Sequence, residues 1–165
     1  MTSKKAAKAK DKAAGLKPIA TNRRARFDYE IVESYEAGLA LVGSEVKSLR
    51  LGNADLKDSY GAVRDGEAWL YGLRISPYEF AREGSHEPER TRKLLLHRVE
   101  IERIASSLAE KGLTLIPVRL YFKNGKVKVE LGLAKGKAKY DKRETVKRRE
   151  ADREMQRAIR HRSLD

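Results

Sequence analysis

A tight two-residue turn between two patterned runs constrains the fold of this chain more than any other feature. Apolar and polar residues alternate over residues 127–133, and a largely apolar run covers residues 113–122. Between the runs stand Asn124 and Gly125, a pair that adopts positive φ readily and closes a type I′ turn. The segment therefore predicts an antiparallel β-hairpin.

A second hairpin signal lies earlier in the chain. Asp65 and Gly66 separate alternating runs over residues 60–64 and 68–73. Before it, period-two alternation over residues 27–41 predicts a further strand. The two hairpins and this strand make the chain rich in antiparallel pairing.

Apolar residues recur at helical spacing in two other places. Residues 44–52 combine a capping serine, an apolar stripe and a final glycine, and residues 101–112 repeat apolar side chains up to a glycine. Hairpins with helices between them, rather than after each strand, favour an antiparallel barrel over a doubly wound sheet. We therefore expect a mainly β fold, an antiparallel barrel of the oligonucleotide-binding type with about six strands and two or three short helices. The pattern alone leaves other barrels of about six strands open.

The positive charge is concentrated at the two ends. Of a net +13, residues 1–26 carry nine Lys/Arg against one acid and residues 135–165 carry twelve against six, so residues 27–134 are nearly neutral. Basic arms on a neutral body indicate a polyanionic partner, nucleic acid first, with solubility tails as the alternative. We expect residues 1–21 to form a disordered basic arm, residues 22–134 the barrel and residues 135–165 a basic tail.

Composition excludes several classes of function. The chain has no Cys, which excludes disulfides, thiol catalysis and cysteine-ligated zinc. Its three His residues stand in separate segments and form no metal or acid–base pattern. No apolar stretch is long enough to span a bilayer and no signal peptide is visible, which predicts a cytoplasmic protein without membrane contact. Residues 132–137 (GLAKGK) are one residue short of the spacing of a Walker phosphate-binding loop, so we expect no nucleotide hydrolysis. We also expect no cofactor and no metal.

The basic tail contains its own helix signal. The first lysines of the tail, Lys135, Lys137 and Lys139, suit contacts with phosphates. Tyr140 suits either stacking on an unpaired base or packing of the tail onto the barrel. Asp141 followed by Glu144 resembles a capping box, so a helix should begin there. Because its apolar stripe is narrow, we expect the tail to be disordered in the free protein and helical when bound. A solvated helix docked on the domain is the alternative.

Residues 90–97 (RTRKLLLH) place three cations before a leucine run. The simplest interpretation puts the leucines in the core and the cations on a solvated rim. A binding role for this segment requires Leu95 or His97 to point outward.

Seven motifs, in order from about Asn22 to Arg149, closely resemble the bacterial SsrA-binding protein (small protein B) family. They are NRRARFDY (22–29), EAGLAL (36–41), EVKSLR (45–50), DSY (58–60), RTRKLLL (90–96), GLAKGK (132–137) and DKR (141–143). The resemblance implies an oligonucleotide-binding-type barrel that binds the tRNA-like domain of transfer-messenger RNA. It implies that the complex enters the A site of stalled ribosomes for trans-translation, that the C-terminal tail enters the empty mRNA channel as a helix, and that the protein does no chemistry.

The resemblance also implies two sets of binding residues. The RNA-binding set is Asn22, Arg23, Arg24, Glu36, Leu95 and His97. The ribosome-binding set, for the small-subunit decoding centre and mRNA channel, is Gly132, Lys135, Gly136, Lys137, Tyr140, Asp141, Lys142 and Arg143. This chain has His97 where some members have Asn and Tyr140 where some have His, and both changes keep hydrogen-bonding or stacking ability. Ala138 interrupts a basic cluster and removes one phosphate contact.

Two rival functions stay open at this point. A structural protein of the small ribosomal subunit would share the basic arms and the small barrel, but it would remain on the particle in high salt. An RNA-modifying or RNA-cleaving enzyme would need a convergent acid–base or metal cluster, and the sequence shows none. We expect a monomer that binds transfer-messenger RNA and the ribosome.

Overall fold

The computed structural model describes Lys12, residues 15–110 and residues 112–162. The strands in this part of the chain are β1 (Leu16–Thr21), β2 (Tyr29–Leu39), β3 (Ala54–Asp55), β4 (Tyr60–Arg64), β5 (Glu67–Tyr71), β6 (Arg74–Ile75), β7 (Arg92–Leu95), β8 (Thr114–Lys123) and β9 (Lys126–Gly136). The helices are α1 (Ala25–Asp28), α2 (Gly43–Arg50), α3 (Arg98–Glu110) and α4 (Lys139–Arg162).

Six of the strands close into an antiparallel ring. From β8 the hydrogen-bonded order runs β4, β5, β7, β2 and β9, and β9 pairs back with β8. Strand β1 lies outside the ring and pairs with the C-terminal half of β8, while β3 and β6 form a separate two-stranded sheet. The mainly β antiparallel barrel that the sequence predicts is confirmed, and its closure leaves few unpaired strand edges.

Both predicted hairpin turns are confirmed. Asp65 and Gly66 have φ angles of 51° and 73°, and Asn124 and Gly125 have φ angles of 51° and 75°. Positive φ at both central residues is the signature of a type I′ turn, whose twist matches that of the flanking strands. These turns fix the register of β4 against β5 and of β8 against β9.

The barrel interior follows the alternation in the strands. In β9, Val127, Val129 and Leu131 point inward, and the residues between them point outward. Helix α3 packs on this core through Ile104, which is fully buried, and α2 packs through Leu49. Lys126, Lys128 and Glu130 thus lie on the outer face of β9, whereas β8 is buried on both faces over residues 115–118.

Strands of the barrel sheet extend beyond the predicted domain boundaries at both ends. Leu16–Thr21, expected in the disordered arm, forms β1 because its backbone pairs with β8, a partner far away in sequence. The rest of that arm, apart from Lys12 and Gly15, lies outside the described residues. At the other end, β9 continues to Gly136, beyond the boundary predicted at residue 134.

Two local predictions were also wrong. Phe27, expected in a strand, lies in α1. Ser44, expected to cap α2, lies inside that helix, and its hydroxyl is 2.9 Å from Nδ1 of His86.

The helix predicted from residue 141 is confirmed and begins at Lys139. Its disorder in the free protein stays a prediction.

Candidate nucleic-acid interface

An open groove of about 1180 Å³ lies between the β4–β5 turn, β7 and the start of α3. Glu36, Leu95 and His97, all predicted to bind RNA, line it together. They meet because β2 and β7 run antiparallel with Gly38 opposite Leu95, and because α3 follows β7 directly. The structure thus brings half of the predicted RNA-binding set onto one surface.

Leu95 and His97 both point outward. Leu95 is 53 % exposed, although the preceding residue, Leu94, is a core residue. A Cβ atom at Gly38 would lie 3.2 Å from Cβ of Leu95, so the glycine leaves room for this leucine on the outer face. The backbone N–H of His97 donates to the carboxylate of Glu100 at 3.1 Å, which fixes His97 at the exposed start of α3. Both residues therefore meet the condition for a binding role.

Glu36 holds a cation on the outer face of the barrel. Its carboxylate accepts a hydrogen bond from the hydroxyl of Tyr121, and Nζ of Lys123 donates to Oε1 at 3.0 Å and to Oε2 at 3.3 Å. The Tyr121 bond lowers the pKa of Glu36 below its ordinary value, although burial acts in the opposite direction. Burial, followed by the same bond, raises the pKa of Tyr121. Glu36 is therefore ionised at neutral pH and positions Lys123.

The groove itself does not favour phosphate. Its acidic lining residues outnumber its basic ones, and Nζ of Lys93 is already 2.7 Å from Oε1 of Glu67. Lys128 of β9 lines the groove, and two further cations, Lys123 and Lys126, project beside it from the outer face of the β8–β9 hairpin. The arrangement suits a nucleic acid whose base edges and 2′-hydroxyls face the groove and whose phosphates face the hairpin.

Asn22 has a positioning role visible in the structure. Its Nδ2 donates to the carbonyls of Pro117 at 3.1 Å and Leu56 at 3.4 Å. Its Oδ1 accepts the N–H of Ala25, the first residue of α1, at 3.2 Å. Because these bonds occupy the amide, Asn22 orients the residues that follow it.

Arg23 and Arg24 project from this turn into solvent. Arg24 is exposed over 70 % of its side chain, and its Nε is 3.7 Å from the carboxylate of Asp28. Together with Asn22 it lines a second cavity of about 370 Å³ that also includes Lys57. We call Asn22, Arg23, Arg24 and Lys57 the α1 patch. It shares no described lining residue with the groove, so the predicted RNA-binding set is divided between two surfaces.

The base of α4 contacts α1 from the other side. The backbone N–H of Lys137 donates to the carbonyl of Asp28 at 2.9 Å, and Nζ of Lys142 is 3.3 Å from Oδ1 of the same residue. Further along, the guanidinium of Arg149 lies 5.6 Å from the ring centroid of Phe27. Two predicted ribosome-binding residues, Lys137 and Lys142, are thus anchored to the segment that carries the α1 patch.

A buried ion cluster joins α2 to β7. Glu45 and Arg92 are fully buried, and Nε of Arg92 is 3.0 Å from Oε1 of Glu45. Arg90 donates to both carboxylate oxygens of Glu45, at 2.6 Å and 2.8 Å. Burial alone would raise the pKa of Glu45, but the Arg90 hydrogen bond and the Arg92 charge outweigh it and the pKa is lowered. The cluster orients the strand that carries Leu95.

The prediction that the cations before the leucine run form a solvated rim was wrong for Arg92, which is fully buried, whereas the side chains of Arg90 and Lys93 are 31 % and 40 % exposed. Arg92 points inward because its guanidinium also donates to the carbonyls of Leu73, at 2.5 Å, and Pro88, at 3.1 Å. A buried arginine is tolerated where its hydrogen bonds and its charge are satisfied.

Among the described residues, no group of three or more His, Asp or Glu side chains could hold a metal ion. In the same part of the chain, no helix has both the length and the hydropathy needed to cross a membrane.

The sequence and the fold have clear relatives. A family model described as SmpB protein matches residues 19–161. The chain belongs to the SmpB protein family. An SsrA-binding protein of Geobacter metallireducens is 54 % identical over 149 residues, which cover 90 % of this chain and 97 % of the relative. One of Syntrophobacter fumaroxidans is 59 % identical over 139 residues, covering 84 % and 86 %.

A solved structure supports the same family. It is described as "tmRNA-SmpB: a journey to the center of the bacterial ribosome" and superposes with a TM-score of 0.63 at 50 % identity. The match covers 78 % of this chain and 94 % of the solved one. The SmpB fold is thus shared over most of the chain.

The ribosome-binding residues inferred from the SmpB resemblance fall into different environments. Gly132 is buried in β9, where an added Cβ would lie 3.2 Å from Ile31 and 3.3 Å from Val118, so its visible role is close packing. Lys135 and Gly136 end the same strand and are exposed. Of the remaining members, Arg143 is exposed on α4. The side chains of Tyr140 and Asp141 lie outside the described part of the structure.

Three features of this SmpB-family chain were missed by the sequence reasoning: the Tyr121–Glu36–Lys123 contact, the Asp28 contacts and the Glu45 cluster. Each joins residues far apart in sequence. Only Glu45 gave a local signal, because it lies four residues before Leu49 and therefore on the buried face of α2. The others depend on barrel register, which a single sequence does not reveal.

Proposed function

We propose that this chain binds the tRNA-like domain of transfer-messenger RNA and delivers it to the A site of stalled bacterial ribosomes for trans-translation. Its relatives are named SsrA-binding proteins, and the similar solved chain is described with tmRNA and the bacterial ribosome. In this role the protein acts as a monomer in the cytoplasm, by binding and without catalysis. The rival assignments, a structural ribosomal protein and an RNA-processing enzyme, have no comparable support.

The observation that carries the RNA half of the proposal is the outward face of β2 and β7. Leu95 and His97 are exposed beside an ionised Glu36, which in turn holds Lys123. An exposed leucine suits packing against a base or a ribose, and a histidine suits stacking or hydrogen bonding. Glu36 fits this surface as the residue that orients Lys123 towards a phosphate.

A gel-shift titration with a transcript of the tRNA-like domain tests this face. Each of the substitutions Glu36→Ala and His97→Ala should weaken specific binding by about 1–3 kcal/mol, the usual cost of a lost specific contact. Glu79→Ala, which removes an equal charge from an exposed loop, serves as the matched control and should bind normally. Unchanged affinity in correctly folded Glu36 and His97 variants would reject this surface.

A double-mutant cycle decides how Glu36 acts. If Glu36 works by positioning Lys123, the effects of Glu36→Gln and Lys123→Ala will be strongly non-additive. If Glu36 instead accepts a hydrogen bond directly from the RNA, the two effects will add. The structure favours the first result, because both carboxylate oxygens already contact Lys123.

The ribosomal half of the proposal rests on α4 and its base. The helix is basic, exposed and 24 residues long, which suits a segment that enters a channel lined by ribosomal RNA. We propose that Lys135, Gly136, Lys137, Lys142 and Arg143 face the decoding centre and that Tyr140 and Asp141 belong to the same surface. Their expected contacts are with phosphates and unpaired bases of ribosomal RNA.

A further inference from the structure

Three aromatic residues on the outer face of β4 and β5 have no part in the function proposed above. Tyr60 and Tyr71 stand opposite each other in the hairpin, with ring centroids 5.3 Å apart and ring planes 14° from parallel. Trp69 lies two residues from Tyr71 and therefore on the same face of β5. Tyr60 is 49 % exposed, and Trp69 is partly exposed. We call Tyr60, Tyr71 and Trp69 the aromatic band.

Cations stand among these rings. The guanidinium of Arg64 lies 5.4 Å from the ring centroid of Tyr71, and Lys93 is the register partner of Trp69 on β7. Lys57 lines the cavity beside Tyr60. A cross-strand tyrosine pair can serve hairpin stability alone. Exposed rings interleaved with cations, however, are the arrangement that proteins use to bind single-stranded nucleic acid.

The position of the aromatic band distinguishes these two roles. At one end, Tyr60 lines the same cavity as Arg24 of the α1 patch. At the other end, Lys93 stands opposite Trp69 and lines the groove together with Leu95. From strand spacing and rise per residue, the path from Tyr60 to Leu95 is roughly 20 Å long. The aromatic band therefore connects the two surfaces between which the predicted RNA-binding residues are divided.

We propose that the aromatic band is a stacking surface for unpaired bases of transfer-messenger RNA, bridging the α1 patch and the groove. The inference rests on the function proposed above. Tyr60 receives a base on its exposed face, whereas Tyr71 already contacts Tyr60 and Arg64 and supports them. Stacking tolerates any base, so the aromatic band supplies affinity and the groove supplies base identity.

Trp69 gives a direct test, because it is the only tryptophan in the chain. The full chain is titrated with a transcript of the tRNA-like domain while tryptophan emission and gel-shift binding are both recorded. We expect the emission to be quenched with the same midpoint as the gel shift. Binding without any change in emission would reject the stacking role of the aromatic band, whereas the proposed function would be unaffected. No binding in the gel shift overturns the proposed function itself.

Substitution of Tyr60 provides a second test. Tyr60→Ala should weaken binding by about tenfold to a hundredfold, the range for one stacked base, and Tyr60→Phe should bind like the wild type. Tyr60→Leu keeps an apolar contact across the hairpin but offers no ring, so it should bind as weakly as Tyr60→Ala. Wild-type binding by Tyr60→Leu would show that the tyrosine serves only the hairpin. Phe80→Ala, which removes a 75 % exposed ring elsewhere, is the matched control and should have no effect.

Ribosomal RNA is the other source of unpaired bases. The Tyr60 variants are therefore also titrated with isolated small ribosomal subunits. We expect their affinity for the subunit, in the absence of transfer-messenger RNA, to equal that of the wild type. Normal binding to the transcript with reduced binding to the subunit would assign the aromatic band to ribosomal RNA and overturn the proposal.

Discussion

In the barrel, the side chains that hold the fold are buried, whereas in α4 every described side chain from residue 142 to 160 is at least partly exposed. The barrel core includes long apolar residues with almost no exposed surface, and even its ion cluster at Glu45 is buried. Helix α4 contacts the body through the ion pair of Lys142 with Asp28 and through the Arg149–Phe27 contact, both in its first half. The barrel is thus stable by its own burial, whereas the outer part of α4 relies on its local pairings.

This difference has a functional consequence. Burial stabilises a surface before any partner arrives, so the groove and the α1 patch are preorganised. A helix without tertiary packing is marginal in water, so the outer part of α4 gains most of its order where a partner neutralises its charge. We therefore expect the barrel to act as the body that recognises RNA and the outer part of α4 to act as a tail that becomes ordered on binding.

Removing the tail gives the sharpest test of this separation and the largest expected effect. A chain truncated after Lys139 should keep wild-type unfolding behaviour and near-normal affinity for the tRNA-like domain, because the groove and the α1 patch are complete without α4. It should lose tagging of peptides on stalled ribosomes. Tagging at the wild-type rate would show that the tail is a solubility extension.

The next largest effect concerns the buried cluster in the body. Glu45→Gln leaves the buried Arg92 without its carboxylate and should destabilise the protein by about 3–5 kcal/mol in urea unfolding. Glu102→Gln breaks an exposed pair in α3, with side chains 66 % and 91 % exposed, and should cost at most about 1 kcal/mol. Equal effects of the two substitutions would contradict the difference between buried and exposed pairs.

The sequence predicted the parts of this molecule that local pattern determines. The two type I′ turns, β8, β9 and α3 follow from residues close together in sequence, and their existence was confirmed. Strand β1 was missed because its pairing with β8 joins segments that are far apart in sequence. Arg92 was misjudged because its partners Glu45 and Leu73 come from other elements.

More of the candidate site residues were predicted from the resemblance to the SmpB family than from the local sequence pattern. Local pattern required only that Leu95 or His97 point outward, and the structure shows that both do. The grouping of Glu36 with these residues, and its separation from Arg24, depends on the closed barrel. Neither could be derived from spacing, because a register change of one residue would move every side chain of β2 to the other face.

Breaking α4 alone should have an effect of intermediate size. Met155→Pro removes a backbone donor from the helix interior and should cost about 3 kcal/mol of helix stability. Because Met155 is 65 % exposed and distant from the contacts with α1, the unfolding transition of the barrel should not change. Tagging should fall strongly while RNA affinity is kept. Met155→Ala, which keeps helix propensity, is the matched control, and an equal loss in both variants would assign the effect to the side chain.

Acid should weaken the barrel through the Glu45 cluster. Because the pKa of Glu45 is lower in the folded protein than its ordinary value of 4.5, its ion pairs stabilise the fold above that value. The contribution disappears as the pH falls through the lowered pKa. We expect the free energy of unfolding of the wild type to decline below about pH 5. The difference in this free energy between the wild type and Glu45→Gln should become smaller over the same pH range. A difference that stays constant down to acid unfolding would contradict the charged state of Glu45.

The smallest effect is expected where the two regions meet, at Asp28. Asp28→Asn removes the carboxylate that pairs with Lys142, a partly exposed pair worth about 0.2–1 kcal/mol. Amide hydrogen exchange in the first two turns of α4 should then quicken by up to about fivefold at low salt, while the barrel amides stay unchanged. Because salt screens such a pair, the difference should fade as the salt concentration approaches about 1 M. Glu30→Gln, which removes a nearby charge from β2, is the control. Equally faster amide exchange in both variants would show that Asp28 does not specifically stabilise the start of α4.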